Sequence, residues 1–195
     1  CDKIGKITIC CLNKFKKQFE HEFRDVDIEI IDFEQPIGTY STFFMASGGA
    51  KSLIQPTEWV MVHYADCMTE INYNDFIKNC EDRLKYFLFD GIIAVTNQVR
   101  HDYSEVKMLD GHVHEFNEKP KLSNYTWSGI GIFHVETLHM KYNRKGEGDD
   151  FAFDIFPQMI ANNMLDAYPY EGKWTDVGNL NSYRKICAQF NGEKN

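Results

Sequence analysis

Two aspartates stand in positions that could suit metal or substrate binding. Asp66 comes after the continuous apolar segment WVMVHY, and Asp176 stands in the segment WTDVG before the last helical segment. Ligands of open parallel sheets lie outside the carboxyl ends of the strands, where buried backbone holds a carboxylate rigidly. An aspartate in such a place also commonly caps a helix or turns the chain. The order of the residues does not show whether the two carboxylates meet.

An acid and a base stand together in Glu118-Lys119-Pro120, at the end of a predicted β-hairpin. Proline biases the preceding residue toward an extended conformation, so Lys119 is expected to be extended and to project opposite Glu118. Lysine is a compact cation that suits a phosphate, and a glutamate can accept hydrogen bonds from sugar hydroxyls. Taken alone, the segment is more typical of a solvated strand end.

Glycines mark two further candidate positions. Gln35-x-x-Gly38 lies between a predicted strand and a predicted helix. A glycine there lets a ligand approach the backbone, and a helix N-terminus favours an anion. Gly129 and Gly131 interrupt an apolar strand, which indicates close approach by a ligand or another backbone, with a bulge or tight packing as the alternative.

The common motifs of nucleophilic catalysis, nucleotide binding and zinc binding are absent from the sequence. The chain lacks the nucleophile elbow G-x-S-x-G, the phosphate loop G-x-x-x-x-G-K-[ST], the dinucleotide motif G-x-G-x-x-G and the zinc motif H-E-x-x-H. His112 and His114 could form a metal pair, although an exposed hairpin face is more typical. The cysteines contain no C-x-x-C pair, and we expect a reducing, cytoplasmic location. They are Cys1, Cys10, Cys11, Cys67, Cys80 and Cys187.

Composition narrows the classes of protein further. The 195 residues predict one domain, and 43% apolar residues supply a core. With 21 basic against 29 acidic residues, the net charge of -8 argues against a nucleic-acid partner. No apolar segment is long enough to span a membrane, and no signal peptide is recognisable. The first residue is Cys1, so position 1 is not expected to be a translational start.

Strands and helices alternate along the chain. The patterns predict strands at 4–11, 26–33, 59–64, 91–99, 127–135 and 165–170, and helices at 13–23, 39–48, 73–84, 151–164 and 180–190. Asp110-Gly111 predicts a hairpin over 105–116, and residues 142–150 are predicted as a polar surface loop. This order favours a Rossmann-like α/β fold whose mixed, mainly parallel sheet is flanked by helices and carries an antiparallel hairpin insertion.

From residue 4 to 186, these segments occur in an order that resembles the sugar-1-phosphate nucleotidyltransferases. QPIGT resembles the base-contacting loop, with Gln35 and Gly38 at the matching positions. HYAD stands where the family has Asn-Gly-Asp, which places Asp66 on the magnesium-binding aspartate. Glu118-Lys119-Pro120 matches the sugar-phosphate motif. SGIGIF, with Ser128 and Gly129, resembles the strand that lines the sugar pocket, and GKWTDVG with Tyr183 places Asp176 on the second metal carboxylate.

The resemblance implies a magnesium-dependent reaction between a nucleoside triphosphate and a sugar 1-phosphate, which gives a nucleotide-sugar and pyrophosphate. Asp66 and Asp176 would hold Mg²⁺, and Lys119 would neutralise the sugar phosphate. Glu118 would accept from a sugar hydroxyl, and Gln35 and Gly38 would seat the base. The sugar phosphate is already ionised at neutral pH, since its second pKa is about 6, so no general base is required. Formation of a homo-oligomer is left open.

Departures from the family pattern leave two alternatives. The signature G-x-G-T-R is missing from the chain, so the family's first strand and triphosphate loop are expected outside the single domain over 1–195, and the chain alone is expected to be inactive. The first alternative is therefore a non-catalytic module that binds sugar nucleotides or a partner. Tyr64-Ala65, Trp127 and Tyr103-Ser104 also replace family residues. The second alternative is a glycosyltransferase, which is ranked last because Asp66 is not part of Asp-x-Asp.

Overall fold

The computed structural model describes residues 4–48, 59–99, 104–121, 124–146 and 148–192. Its strands are β1 (Ile7–Leu12), β2 (Ile28–Phe33), β3 (Trp59–His63), β4 (Cys67–Thr69), β5 (Gly91–Thr96), β6 (Glu105–Leu109), β7 (His112–Asn117), β8 (Thr126–His134), β9 (Leu165–Pro169) and β10 (Trp174–Asp176). Its helices are α1 (Asn13–Glu22), α2 (Thr39–Gly48), α3 (Tyr73–Leu84), α4 (Val135–Lys141), α5 (Phe156–Ala161) and α6 (Leu180–Gly192). A π-helical turn, Phe151–Ile155, leads into α5.

The strands form four sheets. One has the order β3-β8-β5-β9, and three pairs stand apart from it: β1 with β2, β4 with β10, and β6 with β7. β8 runs antiparallel to β3, because Trp59 packs against His134 with ring centroids 5.2 Å apart, while the N–H of Tyr64 donates to the carbonyl of Gly129. Sequence patterns did not indicate this reversal.

Two pairs of strands are parallel, as the alternation of strands and helices predicted. β1 and β2 are parallel, from Ile7 opposite Ile28 to Leu12 opposite Phe33. β5 and β9 also run in the same direction, because hydrogen bonds join their starts at Asp90 and Met164 and their ends at Val95 and Tyr170. The predicted mixed, Rossmann-like α/β class is therefore confirmed.

The chain divides into two compact units. Unit 1 contains Cys1–Val62, Tyr73–Ile92 and Ile132–Asp166, and unit 2 contains His63–Asn72, Ile93–Gly131 and Ala167–Asn195. The prediction that residues 1–195 form one domain stays a prediction.

Unit 1 has an aromatic core around Phe151. The ring of Phe151 lies 4.9 Å from that of Phe133 and 5.2 Å from that of Tyr40. Both Tyr40 and Phe133 are fully buried. The Tyr40 hydroxyl donates to the carbonyl of Leu138 at 2.6 Å, and burial raises its pKa to about 12. This core fixes the start of α2 against the segment that leads into α5.

Several element boundaries differ from the predicted ones. The helix predicted over 151–164 begins as a π-helical turn and ends at Ala161. The strand predicted through residue 135 ends at His134, whose ring accepts from the N–H of Thr137 and so caps the unpredicted helix α4. The strands β4 and β10 were also missed, because segments of three residues carry no periodic pattern. Gly49 and Tyr103 lie outside the described residues.

Candidate functional site

The short strands β4 and β10 bring the two predicted metal aspartates together within unit 2. They pair antiparallel, with Asp176 opposite Cys67, the residue that follows Asp66. The N–H of Val177 donates to the backbone carbonyl of Asp66 at 2.7 Å, which extends the ladder by one step. Both aspartates therefore stand at the same end of one ladder, although sequence order alone could not show that they meet.

Both carboxylates are exposed to solvent. One oxygen of Asp176 accepts from the N–H of Gly178 at 2.8 Å, and one oxygen of Asp66 accepts from the thiol of Cys67 at 3.6 Å. Burial, together with the negative charges of Asp66 and Asp176, raises the pKa of Cys67 to about 12. The thiol between the two acids therefore stays protonated at neutral pH.

The donor atoms at this ladder end fit a hard divalent cation. Mg²⁺ prefers oxygen ligands and is commonly held by one or two carboxylates together with water and substrate phosphates. In the described part of the chain, no group of three or more His, Cys, Asp or Glu side chains is arranged to hold a metal, so a protein-only zinc cage is not formed there. The pair Asp66 and Asp176 matches the two-carboxylate arrangement typical of Mg²⁺.

Ser128 and Gly129 lie directly behind the Asp66 turn. The Ser128 side chain is 0% exposed and its hydroxyl donates to the carbonyl of Ala94 at 2.9 Å. Its own carbonyl accepts from the indole N–H of Trp174 at 3.0 Å. Gly129 has a φ of +78° and packs against Cys67. Substrate contact at these positions stays a prediction, and both residues are buried.

Lys119 does not have the predicted extended conformation. Its φ is +45°, in the left-handed region that residues other than glycine rarely adopt, and it is exposed beside exposed Glu118. Glu118 accepts a hydrogen bond from the hydroxyl of Ser104. Shortly after, Lys121 donates to the side chain of Gln98 at 2.7 Å. The chain has to bend sharply between the hairpin and this anchor, and the bend overrides the local effect of proline.

At Gly38, the backbone of Gly148 and Asp149 occupies the place where a ligand was expected to approach. A Cβ at Gly38, whose φ is +85°, would lie 2.4 Å from the carbonyl oxygen of Asp149 and 2.6 Å from Gly148. The N–H groups of Tyr40 and Ser41, at the start of α2, both donate to that same Asp149 oxygen at 3.1 Å. These donors are therefore already used, and the predicted anion site is not available at them.

Gln35 remains accessible at the same turn of unit 1. It is exposed and lines a cavity of about 210 Å³ together with Ile37, Ser41 and Arg144. The guanidinium of Arg144, which no sequence motif singled out, lies 3.8 Å above the ring of Phe44. The cavity is thus walled partly by apolar groups and partly by hydrogen-bonding groups.

The segment 142–150, predicted as a polar surface loop, is exposed at Asn143, Lys145 and Gly148 but buried at Tyr142 and Asp149. Asp149 is only 3% exposed, and its carboxylate accepts from the backbone N–H groups of Lys145 and Gly146. Next to it, the hydroxyl of Thr39 donates to Asp150 at 2.6 Å and accepts from the N–H of Phe151. Charged residues are buried here because the backbone satisfies them, which composition does not reveal.

The sequence leaves a metal pair at His112 and His114 open and favours an exposed hairpin face. His112 and His114 are both exposed on the β6–β7 hairpin. Neither belongs to a metal-holding group among the side chains that the structure describes. The exposed-face interpretation is therefore favoured.

The chain thus has a mixed α/β fold with two exposed carboxylates at one end of the β4–β10 ladder. Residues 4–192 match the family model described as Nucleotidyl transferase, and the chain belongs to that family. This confirms the resemblance drawn from the motifs.

The chain is also similar in sequence to proteins named glucose-1-phosphate adenylyltransferase. The chain is 33% identical over 137 residues to a glucose-1-phosphate adenylyltransferase of Clostridium botulinum (strain Eklund 17B), a match that covers 64% of this chain and 34% of that protein. It is 43% identical over 81 residues to the protein of the same name from Clostridium beijerinckii, which covers 37% of this chain and 21% of that protein. The chain thus spans about a third of the length of the first of these relatives.

Solved structures share the fold. HddC from Yersinia pseudotuberculosis superposes with a TM-score of 0.63 at 19% identity, covering 96% of this chain and 80% of that one. A putative glucose-1-phosphate thymidylyltransferase from Bacillus anthracis, in complex with a sucrose, gives 0.63 at 13% identity, covering 94% and 75%. At these identities the likeness concerns the fold alone.

Among the described residues, none of the helices has both the length and the apolar character needed to cross a lipid bilayer.

Proposed function

We propose that the protein to which this chain belongs transfers a nucleotidyl group from a nucleoside triphosphate to a sugar 1-phosphate, with Mg²⁺ as cofactor, and so makes a nucleotide-sugar. The observation that carries the proposal is the pairing of β4 with β10, which brings the exposed residues Asp66 and Asp176 to the same end of one ladder. Membership of the nucleotidyl transferase family supports the reaction class. The names of the relatives make ATP and glucose 1-phosphate the first substrates to test.

In this proposal Asp66 and Asp176 hold Mg²⁺, which supplies positive charge where negative charge builds up at the reacting phosphate. Lys119, exposed at a sharp bend, binds the sugar phosphate as a compact cation, and Glu118 accepts from a sugar hydroxyl. The attacking phosphate oxygen is already ionised at neutral pH, since its second pKa is about 6, so no side chain has to remove a proton. The work of these residues is to position and neutralise anions.

Unit 1 is proposed to contribute the base contact through exposed Gln35, which lines the cavity of about 210 Å³. Gly38 would support this contact indirectly, because its missing side chain lets Gly148 and Asp149 pack against the turn that carries Gln35. Backbone atoms of Ser128 and Gly129 remain proposed substrate contacts in unit 2. We also propose a cytoplasmic location, which fits the free thiols of Cys10, Cys11, Cys67, Cys80 and Cys187.

The test is pyrophosphate release from ATP and glucose 1-phosphate by the complete natural protein and its Asp66→Asn and Asp176→Asn variants. We expect each variant to lose about 100-fold or more in kcat/KM, because each carboxylate removed leaves the cation poorly held. Asp25→Asn is the matched control, since Asp25 is an exposed aspartate paired only with its neighbour Arg24 among the ion pairs of the described residues. Undiminished turnover in both site variants would contradict the assignment.

The same assay distinguishes the enzyme from the alternative, a non-catalytic module that binds sugar nucleotides. A protein that binds ADP-glucose in calorimetry, depends on Lys119 for that binding and releases no pyrophosphate from any sugar 1-phosphate would be a binding module. Turnover that depends on Asp66 identifies the enzyme.

A further inference from the structure

Behind the Asp66 turn, Gly129 makes a contact that only a glycine allows. A Cβ built on Gly129 would lie 2.6 Å from the sulfur of Cys67, 3.2 Å from the Cβ of Tyr64 and 3.3 Å from the Cβ of Cys67. Ordinary contacts between such atoms are about 3.5–4.0 Å, so a methyl group would require a shift of about 1 Å at the sulfur. Tyr64 and Cys67 flank the segment that carries Asp66, which therefore rests directly on the bare Cα of Gly129.

The backbone around Gly129 is fixed from two sides. Its carbonyl accepts from the N–H of Tyr64 at 2.9 Å, and the preceding carbonyl, of Ser128, accepts from the indole of Trp174 at 3.0 Å. The strand also carries the buried hydrogen bond from Ser128 to Ala94. A side chain at position 129 could not be relieved by moving this strand, because such a movement would break these bonds. The displacement would pass to the opposite partner, the 64–67 turn.

That turn transmits the displacement to both carboxylates. The N–H of Cys67 donates to the carbonyl of Tyr64 at 3.0 Å, so residues 64–67 form one hydrogen-bonded unit. Asp66 is part of the unit, and Asp176 lies opposite Cys67 in the β4–β10 register. A shift at Cys67 thus changes the separation of Asp66 from Asp176, whereas a metal site needs its ligands held within about 0.5 Å.

We propose that Gly129 is a positioning residue for the cation: through Cys67 it sets the place of Asp66 relative to Asp176. The inference rests on the proposed function, because it assumes that these two aspartates bind the metal. It assigns Gly129 a positioning role that is separate from its proposed substrate contact, and it makes Cys67 a spacer between the two acids.

The experiment uses Mn²⁺, an oxygen-seeking ion that stands in for Mg²⁺, and measures its binding to this chain by electron paramagnetic resonance. We expect Gly129→Ala to weaken Mn²⁺ binding by about tenfold or more, the loss typical when the support of a metal ligand is disturbed. Gly111→Ala is the matched control. Gly111 has nearly the same backbone angle, with φ of +81° against +78° for Gly129, but nothing lies within 4 Å of its Cβ position. We expect it to leave Mn²⁺ binding unchanged.

A compensating variant distinguishes positioning from general damage. Cys67→Ala removes the sulfur that lies 2.6 Å from the new Cβ, so that the shortest contacts that remain are those of 3.2 and 3.3 Å. In the double variant Gly129→Ala/Cys67→Ala we therefore expect most of the Mn²⁺ affinity to return, although the backbone strain at position 129 remains.

Each outcome decides a separate question. If the unmodified chain binds no Mn²⁺, or binds it equally well after Asp66→Asn and Asp176→Asn, the proposed metal site is wrong. If binding depends on those aspartates but Gly129→Ala binds Mn²⁺ as tightly as Gly111→Ala, the positioning role is overturned. If the double variant binds Mn²⁺ as weakly as Gly129→Ala does, the positioning role is also overturned. The clash with Cys67 would then not be the cause of the weaker binding.

Discussion

Two turns of the molecule each follow a strand, one after β2 in unit 1 and one after β3 in unit 2. They differ in how their polar groups are used. At the Gly38 turn, the N–H groups of Tyr40 and Ser41 are already paired with the carbonyl of Asp149. At the Asp66 turn, the carboxylates of Asp66 and Asp176 are exposed to solvent. Both turns follow strands, and both were predicted to meet a ligand.

The difference shows what separates a structural turn from a candidate binding turn. Polar groups that pair within the protein contribute to folding, and their loss leaves buried donors or acceptors unsatisfied. Exposed carboxylates contribute little to folding and keep oxygens available for a cation. If this distinction is correct, substitutions at the Gly38 turn change stability, and substitutions at the Asp66 turn change metal binding. Four measurements test it.

The largest expected effect is at Gly38. Gly38→Ala would place a methyl group 2.4 Å from the Asp149 oxygen and strain a backbone with φ of +85°. We expect the free energy of unfolding to fall by about 3 kcal/mol, measured by urea denaturation. Gly111→Ala provides the control, because it keeps the backbone strain at φ of +81° without any neighbour, and should cost only about 1 kcal/mol. Equal losses would mean that the Asp149 contact is unimportant.

Metal-dependent stability is expected to follow the opposite pattern. Mn²⁺ at about 100 times its dissociation constant should stabilise the unmodified chain by about 2.7 kcal/mol. The double variant Asp66→Asn/Asp176→Asn should gain nothing from the ion. Because both residues are exposed, we expect the free energy of unfolding of the metal-free double variant to lie within about 0.5 kcal/mol of that of the unmodified chain. Thermal unfolding with and without EDTA measures both quantities, and a large loss in the metal-free variant would make the Asp66 turn structural.

A smaller effect is expected at Thr39, which joins α2 to the segment after Asp149. Thr39→Val removes a hydroxyl that donates to Asp150 at 2.6 Å and accepts from the N–H of Phe151 at 3.0 Å. We expect a loss of about 2 kcal/mol, because both partners are left without this bond in a partly buried place. Thr39→Ser keeps the hydroxyl and should retain most of the stability. Similar losses in the two variants would assign the effect to the methyl group instead.

The smallest effect is a pH dependence at His139, which stacks on Phe44 of α2 with ring centroids 4.1 Å apart. Burial and the charge of Arg144 lower the pKa of His139 below its usual value of 6.5. The unfolded chain therefore takes up a proton at higher pH than the folded one, so stability decreases as the pH falls below about 6.5. We expect His139→Phe to lose less stability than the unmodified chain between pH 7.5 and 5.5. Equal losses would contradict this role.

The parts of the site that sequence could predict are the parts fixed by local pattern. Asp66 follows a continuous apolar strand, and that position alone marks it as a candidate. Asp176 gained its role only from the family resemblance, because its strand, β10, has three residues. The pairing of β10 with β4 depends on contacts between residues far apart in sequence, which no local pattern encodes.

The errors have the same origin. Proline predicts an extended Lys119, but the link from Lys121 to Gln98 requires a bend and gives Lys119 a φ of +45°. The acidic, glycine-containing loop before Phe151 predicts solvent exposure, but Asp149 is buried by accepting backbone N–H groups. In both cases a tertiary contact outweighs a local preference. The alternation of strands and helices survives because it depends on hydrophobic periodicity along the chain.

The length of chain between β4 and β10 has a consequence for the order of folding. At the other end of the β4–β10 ladder, the N–H of Lys173 donates to the side chain of Glu70, which lies 103 residues away in sequence. Closing so long a loop is entropically expensive, and such contacts typically form late. The acidic ladder end then does not exist in the early folding ensemble, and a cation cannot guide the chain toward it. Metal binding at Asp66 and Asp176 would retard unfolding and leave the rate of folding nearly unchanged.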